Sequence, residues 1–276
     1  MIEKATLFFA SWELFREAAL SGAIAGFMLG LLGVYVVLRR MVFLSAALSQ
    51  TAGLGVATAF LLAAWGTPAW IASPTLGAVA ASLLTVYLLT RGNDRHVSRD
   101  SLLGAAFLLG SAGTIAIGSR IPQELHDVQT LLLGSAVAVS PEGFRLIVVT
   151  GIATVIWHAW WWRGFAAVTV DRDDAAVRGL PTRGLAILLL VSIAVAVSVT
   201  TRVLGALPAF AFSVIPAVAA LRLAPNIPGA LTIAAIIGAV GGFGGYFLAY
   251  LLDFPVGASQ TILCVAMLAV VFAVKR

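Results

Sequence analysis

The sequence predicts an all-α fold: a polytopic transmembrane helix bundle of eight or nine spans, with the N-terminus outside and the C-terminus inside. Three observations predict it: a composition too apolar for water, apolar runs long enough to cross a bilayer, and basic residues concentrated in alternate gaps between those runs. Of 276 residues, 61% are hydrophobic and 11% charged, against about 45–50% and about 25% in an ordinary soluble domain. A mean hydropathy of +1.04 makes lipid the solvent for most of the surface. At about 20 apolar residues per crossing, there is room for roughly eight or nine spans.

Apolar length and breakers place the spans at 17–38, 44–65, 69–90, 101–120, 143–162, 184–201, 205–223, 229–251 and 256–274, each end fixed to about 2–4 residues. A further apolar stretch, Leu131 to Val139 between Pro122 and Pro141, is too short to cross and reads as a re-entrant or surface helix. The whole of 1–276 is then a single transmembrane domain. Its longest polar interruption, 163–183, lies on the inner side, and its second longest joins Arg120 to Val128 outside. With this topology the inner face holds Arg39, Arg40, Arg91, Arg95, Arg99, Arg163, Arg172, Arg178, Arg183, Arg222, Lys275 and Arg276. The outer face keeps Lys4, Arg16, Arg120, Arg145 and Arg202. That imbalance follows the positive-inside rule and accounts for the net charge of +5. Nucleic acid is not an expected partner, because its binding needs basic residues clustered on one solvated face. No secretory signal peptide is expected, since Glu3 accompanies Lys4 and the first strong apolar run begins near Ala18.

Small residues recur at four-residue spacing in the first span (Gly22, Gly26, Gly30) and in the eighth (Gly238/Gly242 and Gly241/Gly245). Such faces let backbones approach closely in lipid, and they serve packing within the bundle or between two copies.

A charge at mid-bilayer costs at least ~2.5–3.5 kcal/mol, so an ionisable group inside a span is a functional candidate. Here Glu17, Glu142, Asp253 and the arginines fall at helix ends, leaving no carboxylate relay for a proton- or sodium-coupled carrier. His158 lies inside a span beside Trp157, Trp160, Trp161 and Trp162 and reads as a hydrogen-bonded histidine in an interfacial aromatic belt. With His96 and His126 in loops and a single cysteine, Cys264, there is no nucleophile–base set or metal cluster for an intramembrane enzyme. No phosphate loop ending in Lys-Ser/Thr is present, so ATP, if used, is bound by another polypeptide. The polar residues kept in the spans, among them Ser49, Gln50, Ser213 and Gln260, either bond neighbouring helices or line a wet path. Ser49, Gln50, Gln260 and the helix-end Asp253 are the candidate substrate-pathway residues.

Within 163–183, the run from Asp171 to Pro181 reads as a short capped helix. Asp171 caps the first turn, Asp173 and Asp174 sit at the positive dipole end and Arg178 at the negative one, Gly179 supplies the left-handed residue and Pro181 blocks continuation. A rigid helix between two spans is a shape suited to transmitting force from a partner.

Several of these patterns, in order and spacing, resemble the metal-type ABC importer permeases for zinc, manganese or iron. They are Leu32 to Met41, Ala47-Leu48-Ser49-Gln50, Leu131-Leu132-Leu133-Gly134-Ser135, the Asp171…Ala175…Gly179-Leu180-Pro181 segment, Ile215-Pro216-Ala217, Gly244-Gly245-Tyr246, and Asp253 to Ala258. The resemblance implies a multi-pass protein of the bacterial plasma (inner) membrane, paired with a second copy of itself. It also implies separate ABC ATPase subunits that bind the ATP, and a solute-binding protein delivering metal from outside. It makes Asp171, Ala175, Arg178, Gly179 and Pro181 the ATPase-coupling residues, with no cofactor and no catalysis in this chain. In place of the family's Asp-Ala-Leu-Ser-His, the chain has Ala46 and Gln50 at the two positions suited to metal contact. A neutral amide oxygen is a poor zinc ligand, which suits a weak transit site and equally suits a chelate or another small solute. A secondary transporter is the remaining alternative.

Overall fold

The computed structural model describes residues 2–91, 98–121 and 138–274. Eleven helices run through them: α1 (Ile2–Ala10), α2 (Trp12–Leu38), α3 (Val42–Ala64), α4 (Pro74–Arg91), α5 (Arg99–Gly118), α6 (Pro141–Val170), α7 (Arg172–Val177), α8 (Thr182–Leu204), α9 (Ala206–Leu223), α10 (Ile227–Leu252) and α11 (Val256–Val274). Among the described residues nine helices, all except α1 and α7, are long and apolar enough to cross a bilayer. Helices α2, α3, α8 and α9 form the inside of the bundle, while α4, α5, α6 and α11 keep most of their surface outward. The Leu131–Ser135 motif, Arg95, His96, His126, Lys275 and Arg276 lie outside the described residues, as does nearly all of the short helix expected at Leu131 to Val139.

Two boundaries differ from those expected from apolar length. Helix α2 begins at Trp12 rather than at residue 17, because Trp12 and Phe15 join a ring cluster around Phe8 with Tyr246, Phe247 and Tyr250 of α10. Helix α6 continues to Val170 rather than stopping near 162, because Phe165 and Val168 bury against the core. At 1.5 Å per residue, its 30 residues reach about 45 Å, so its last turns stand clear of a hydrocarbon core about 30 Å thick. The polar interruption expected over 163–183 therefore shrinks to 171–181.

The most extensive helix contact joins α2 to α10, which run antiparallel. Its glycines are opposed: a Cβ on Gly26 would collide with the Gly238 carbonyl, one on Gly30 with the Ala234 carbonyl, and one on Gly242 with the Gly22 carbonyl. The second face of α10 is used as well, since a Cβ on Gly245 would strike Gln260 of α11 and one on Gly241 would strike Cys264. Both small-residue faces therefore serve packing inside this chain. In lipid the gain comes from van der Waals contact and hydrogen bonds between backbones, and any side chain at these positions would hold them apart.

The tryptophans of α6 divide from its histidine. Trp160 is 80% exposed, whereas His158 is 2% exposed and packs on the rings of Tyr35 and Phe165. Ser192 gives its hydroxyl proton to the Leu189 carbonyl at 2.8 Å, so at 3.1 Å its oxygen accepts from His158 Nε2. That contact is satisfied by a proton on Nε2.

Gly26→Ala and Gly238→Ala will each destabilise the protein by about 1–3 kcal/mol through overpacking, read as a lower thermal midpoint in detergent. Gly104→Ala, where a Cβ meets nothing within 4 Å, will leave the midpoint unchanged or raise it slightly.

Candidate functional site

Helix α3 carries the polar residues expected to line a path, and α5 determines what they can do. Where the two helices meet, Gly110 lets the backbones close up: a Cβ there would come within 2.6 Å of the Gln50 carbonyl carbon. The next residue, Ser111, donates its hydroxyl to Gln50 Oε1 at 2.9 Å. Ser49 is 1% exposed and donates to the Ala46 carbonyl of its own helix at 2.9 Å, while Ala46 is buried and has no donor atom. Ser111 takes one of the two lone pairs of Gln50 Oε1, which leaves a neutral, hydrogen-bonded amide oxygen with only weak ligand strength for a cation. Among the described residues no group of three or more His, Cys, Asp or Glu is placed to hold a metal ion. The α3–α5 contact offers a neutral polar patch with weak affinity for charge.

The structure does not gather the other expected pathway residues here. Gln260 of α11 is wholly buried against α2 and α10, with Nε2 donating to the Gly242 carbonyl at 3.0 Å; that bond ties α11 to α10. Asp253 sits in the turn between α10 and α11 with a left-handed backbone, φ 56°, and accepts from Lys4 Nζ of α1 at 2.6 Å. Both partners are well exposed, so the pair contributes at most about 1 kcal/mol. It does hold the amphipathic α1 against that end of the bundle.

The segment after α6 folds into the capped helix its residues specify. Asp171 Oδ1 accepts from the backbone N–H groups of Asp173 at 2.9 Å and Asp174 at 3.0 Å. Arg178 pairs with Asp174 one turn away at 2.9 Å. At the other end, Gly179 N–H donates to the Ala176 carbonyl at 2.9 Å and Leu180 N–H to the Ala175 carbonyl at 3.1 Å, with Gly179 at φ +78°. This paired closure consumes the free carbonyls and requires the left-handed region at Gly179. Ala175 is buried against the bundle, while Val177 is 88% exposed. Pro181 then caps α8. The result is a rigid knob, anchored by one methyl and presenting an apolar side chain outward.

Sequence reasoning missed Ser111 and Val177. A serine in an apolar span gives no indication of its neighbour until α5 is docked on α3, and the residue type of Val177 does not say which way it faces. Its exposure follows from the cap at Asp171, which sets the phase of the turn and places Ala175, not Val177, inward.

Comparison with known proteins agrees over nearly the whole chain. The model of the ABC 3 transport family matches residues 11–275. The high-affinity zinc uptake system membrane protein ZnuB of Haemophilus influenzae is 26% identical over 267 residues, covering 96% of this chain and 98% of ZnuB. The manganese transport system membrane protein MntC of Halalkalibacterium halodurans is 22% identical over 263 residues, covering 95% of this chain and 87% of MntC. Among solved structures, PsaBC from Streptococcus pneumoniae, in complex with Fab, superimposes with a TM-score of 0.86 at 20% identity, covering 99% of this chain and 95% of that one. That likeness shows a shared fold.

Asp171→Ala will cost the α7 turn about 0.5–2 kcal/mol, and Gly179→Ala will cost it about 1–2 kcal/mol by forcing a Cβ into the left-handed region. Hydrogen exchange will read both as faster exchange confined to residues 172–180, with protection of α8 and α9 unchanged.

Proposed function

The chain belongs to the ABC 3 transport family, and from that premise we propose that it is the permease subunit of an ATP-driven importer for a divalent transition metal, zinc or manganese. It works as a homodimer with its N-terminus outside, receives cargo from a solute-binding protein, and is driven by ATPase subunits that grip its inner face. The observation that carries this reading is α7, held rigid between two crossing helices by Asp171 and Gly179 and exposing Val177. A partner that seats Val177 in an apolar socket moves α7 as a unit. Because α7 is covalently continuous with α6 and α8, a rotation there is delivered to two spans together.

In this mechanism the path needs no strong ligand. Conduction requires sites weak enough to leave, and the Gln50–Ser111 pair is such a site. It also supports a second reading, in which the metal arrives as a chelate and its own ligands travel with it. Uptake into reconstituted vesicles, competed by free metal or by chelate, separates the two. Competition by the free ion at the lower concentration supports the first.

Replacing Val177 by Asp, or placing Pro at Ala176, will abolish co-purification of the ATPase subunit while the permease still inserts and dimerises; retention of the ATPase by both variants would show that α7 is not its docking element. Gln50→Ala and Ser111→Ala will change the rate of uptake by the assembled transporter at least severalfold without altering ATPase retention, and unchanged uptake in both would remove α3 and α5 from the path.

A further inference from the structure

At the end of the bundle where α7 sits, the termini of α2, α4, α5, α6 and α8 surround a cleft of about 590 Å³. Five guanidinium groups line it, Arg39, Arg40, Arg99, Arg172 and Arg183, with a single carboxylate, Asp100. None of the five forms an ion pair among the described residues. Arg39 is the most constrained member: its Nη1 is buried with no hydrogen-bond partner. Burial, together with the charges of Arg172 and Arg99, holds its guanidinium below the usual arginine range. Arg40 sits in the left-handed region at φ 56°, in a helix closure made by Met41 N–H to the Val36 carbonyl and Arg40 N–H to the Val37 carbonyl. Glycine is the ordinary residue at such a position, so arginine is held there against the preference of an L-residue backbone.

Uncompensated arginines around one cavity attract an oxyanion, and guanidinium forks match phosphate oxygens two at a time. The height of the cleft selects the source. It lies where five helices leave their apolar segments, which in a spanned bilayer is the depth of headgroup phosphates, and α4, α5 and α6 keep most of their surface outward. About half of its wall is aliphatic, which suits the glycerol and first methylenes of a lipid better than a fully hydrated ion. Basic pockets between transmembrane helices on the inner side are recognised binding places for anionic headgroups. We propose that this cleft binds the phosphate of an anionic phospholipid headgroup, bridging α2, α5 and α8 beside the α7 element. Occupied, it would neutralise Arg39 and fasten the helix ends that α7 must move. The inner-leaflet assignment rests on the proposed topology; the site itself does not.

The test uses the purified full chain, delipidated and then offered phosphatidylglycerol, phosphatidylcholine or inorganic phosphate, with retained lipid read by native mass spectrometry and stability by thermal midpoint. Wild type is expected to retain phosphatidylglycerol at least tenfold more strongly than phosphatidylcholine and to gain stability from it. The double variant Arg99→Gln/Arg183→Gln, at two exposed positions, is expected to lose that preference by about ten- to thirtyfold while still folding. Arg40→Gly, which relieves the backbone, is expected to raise the midpoint without lipid and to reduce the gain from phosphatidylglycerol. Equal retention of the two lipids, undiminished preference in the double variant, or stabilisation by inorganic phosphate with none by phosphatidylglycerol would each overturn the proposal. So would loss of the ATPase subunit, with lipid preference intact, in the double variant, since the cleft would then belong to the partner's carboxylates. Lipid retention by the isolated chain is independent of cargo and ATPase, so its failure leaves the importer reading standing, and the converse also holds.

Discussion

Backbone contact between α2 and α10 is what the bundle depends on. In lipid, an apolar side chain gains nothing by leaving hydrocarbon for another helix, so two spans associate only where their backbones come close enough for dispersion and hydrogen bonds to act. Gly22, Gly26 and Gly30 against Gly242, Gly238 and Ala234 provide that approach, and the Gln260 amide bonded to the Gly242 carbonyl extends it to α11. With α2 fixed in the middle, α9 and α6 pack against it beside α10, α3 and α8 complete the inside, and α4 and α5 pack on α3. Each polar feature then falls at a helix end or a helix contact.

The same arrangement sets the chemistry. The α3–α5 contact leaves a neutral amide and a hydroxyl already bonded to each other, and Asp253 is at the bundle's end, bonded to Lys4. Nothing among these groups couples an ion gradient to movement of a solute. In the proposed importer work enters mechanically, and α7 is the element proposed to receive it: capped at both ends, anchored by Ala175 and apolar at Val177. The arginine cleft beside it places a second, electrostatic constraint on the same helix ends.

Much of this was legible in the sequence because membrane helices obey a few strong rules. Apolar length located nine crossing segments, and the residues of α7 specified its cap and its closure individually, Asp171 at one end and Gly179 at the other. The rules failed where tertiary packing decided. Apolar length could not show that α6 continues to Val170, since Phe165 and Val168 are drawn on by neighbours distant in sequence. Polar residues in spans could be named but not given their partners: Gln260 bonds the Gly242 carbonyl of α10, and the bond from Ser111 to Gln50 exists only once α5 is docked on α3. Small-residue spacing identified the sticky faces but not their partners, which the antiparallel pairing of α2 with α10 supplies.

The central claim is that this chain moves its cargo only when a motor outside the membrane drives it. Liposomes holding the purified chain alone, set beside liposomes holding it with its ATPase subunits and binding protein, test that claim most directly through the ratio of metal inside to metal outside. The account predicts accumulation above the external concentration only in the complete assembly and only with ATP hydrolysis. Uphill accumulation by the chain alone, with neither nucleotide nor companion subunit present, would contradict it.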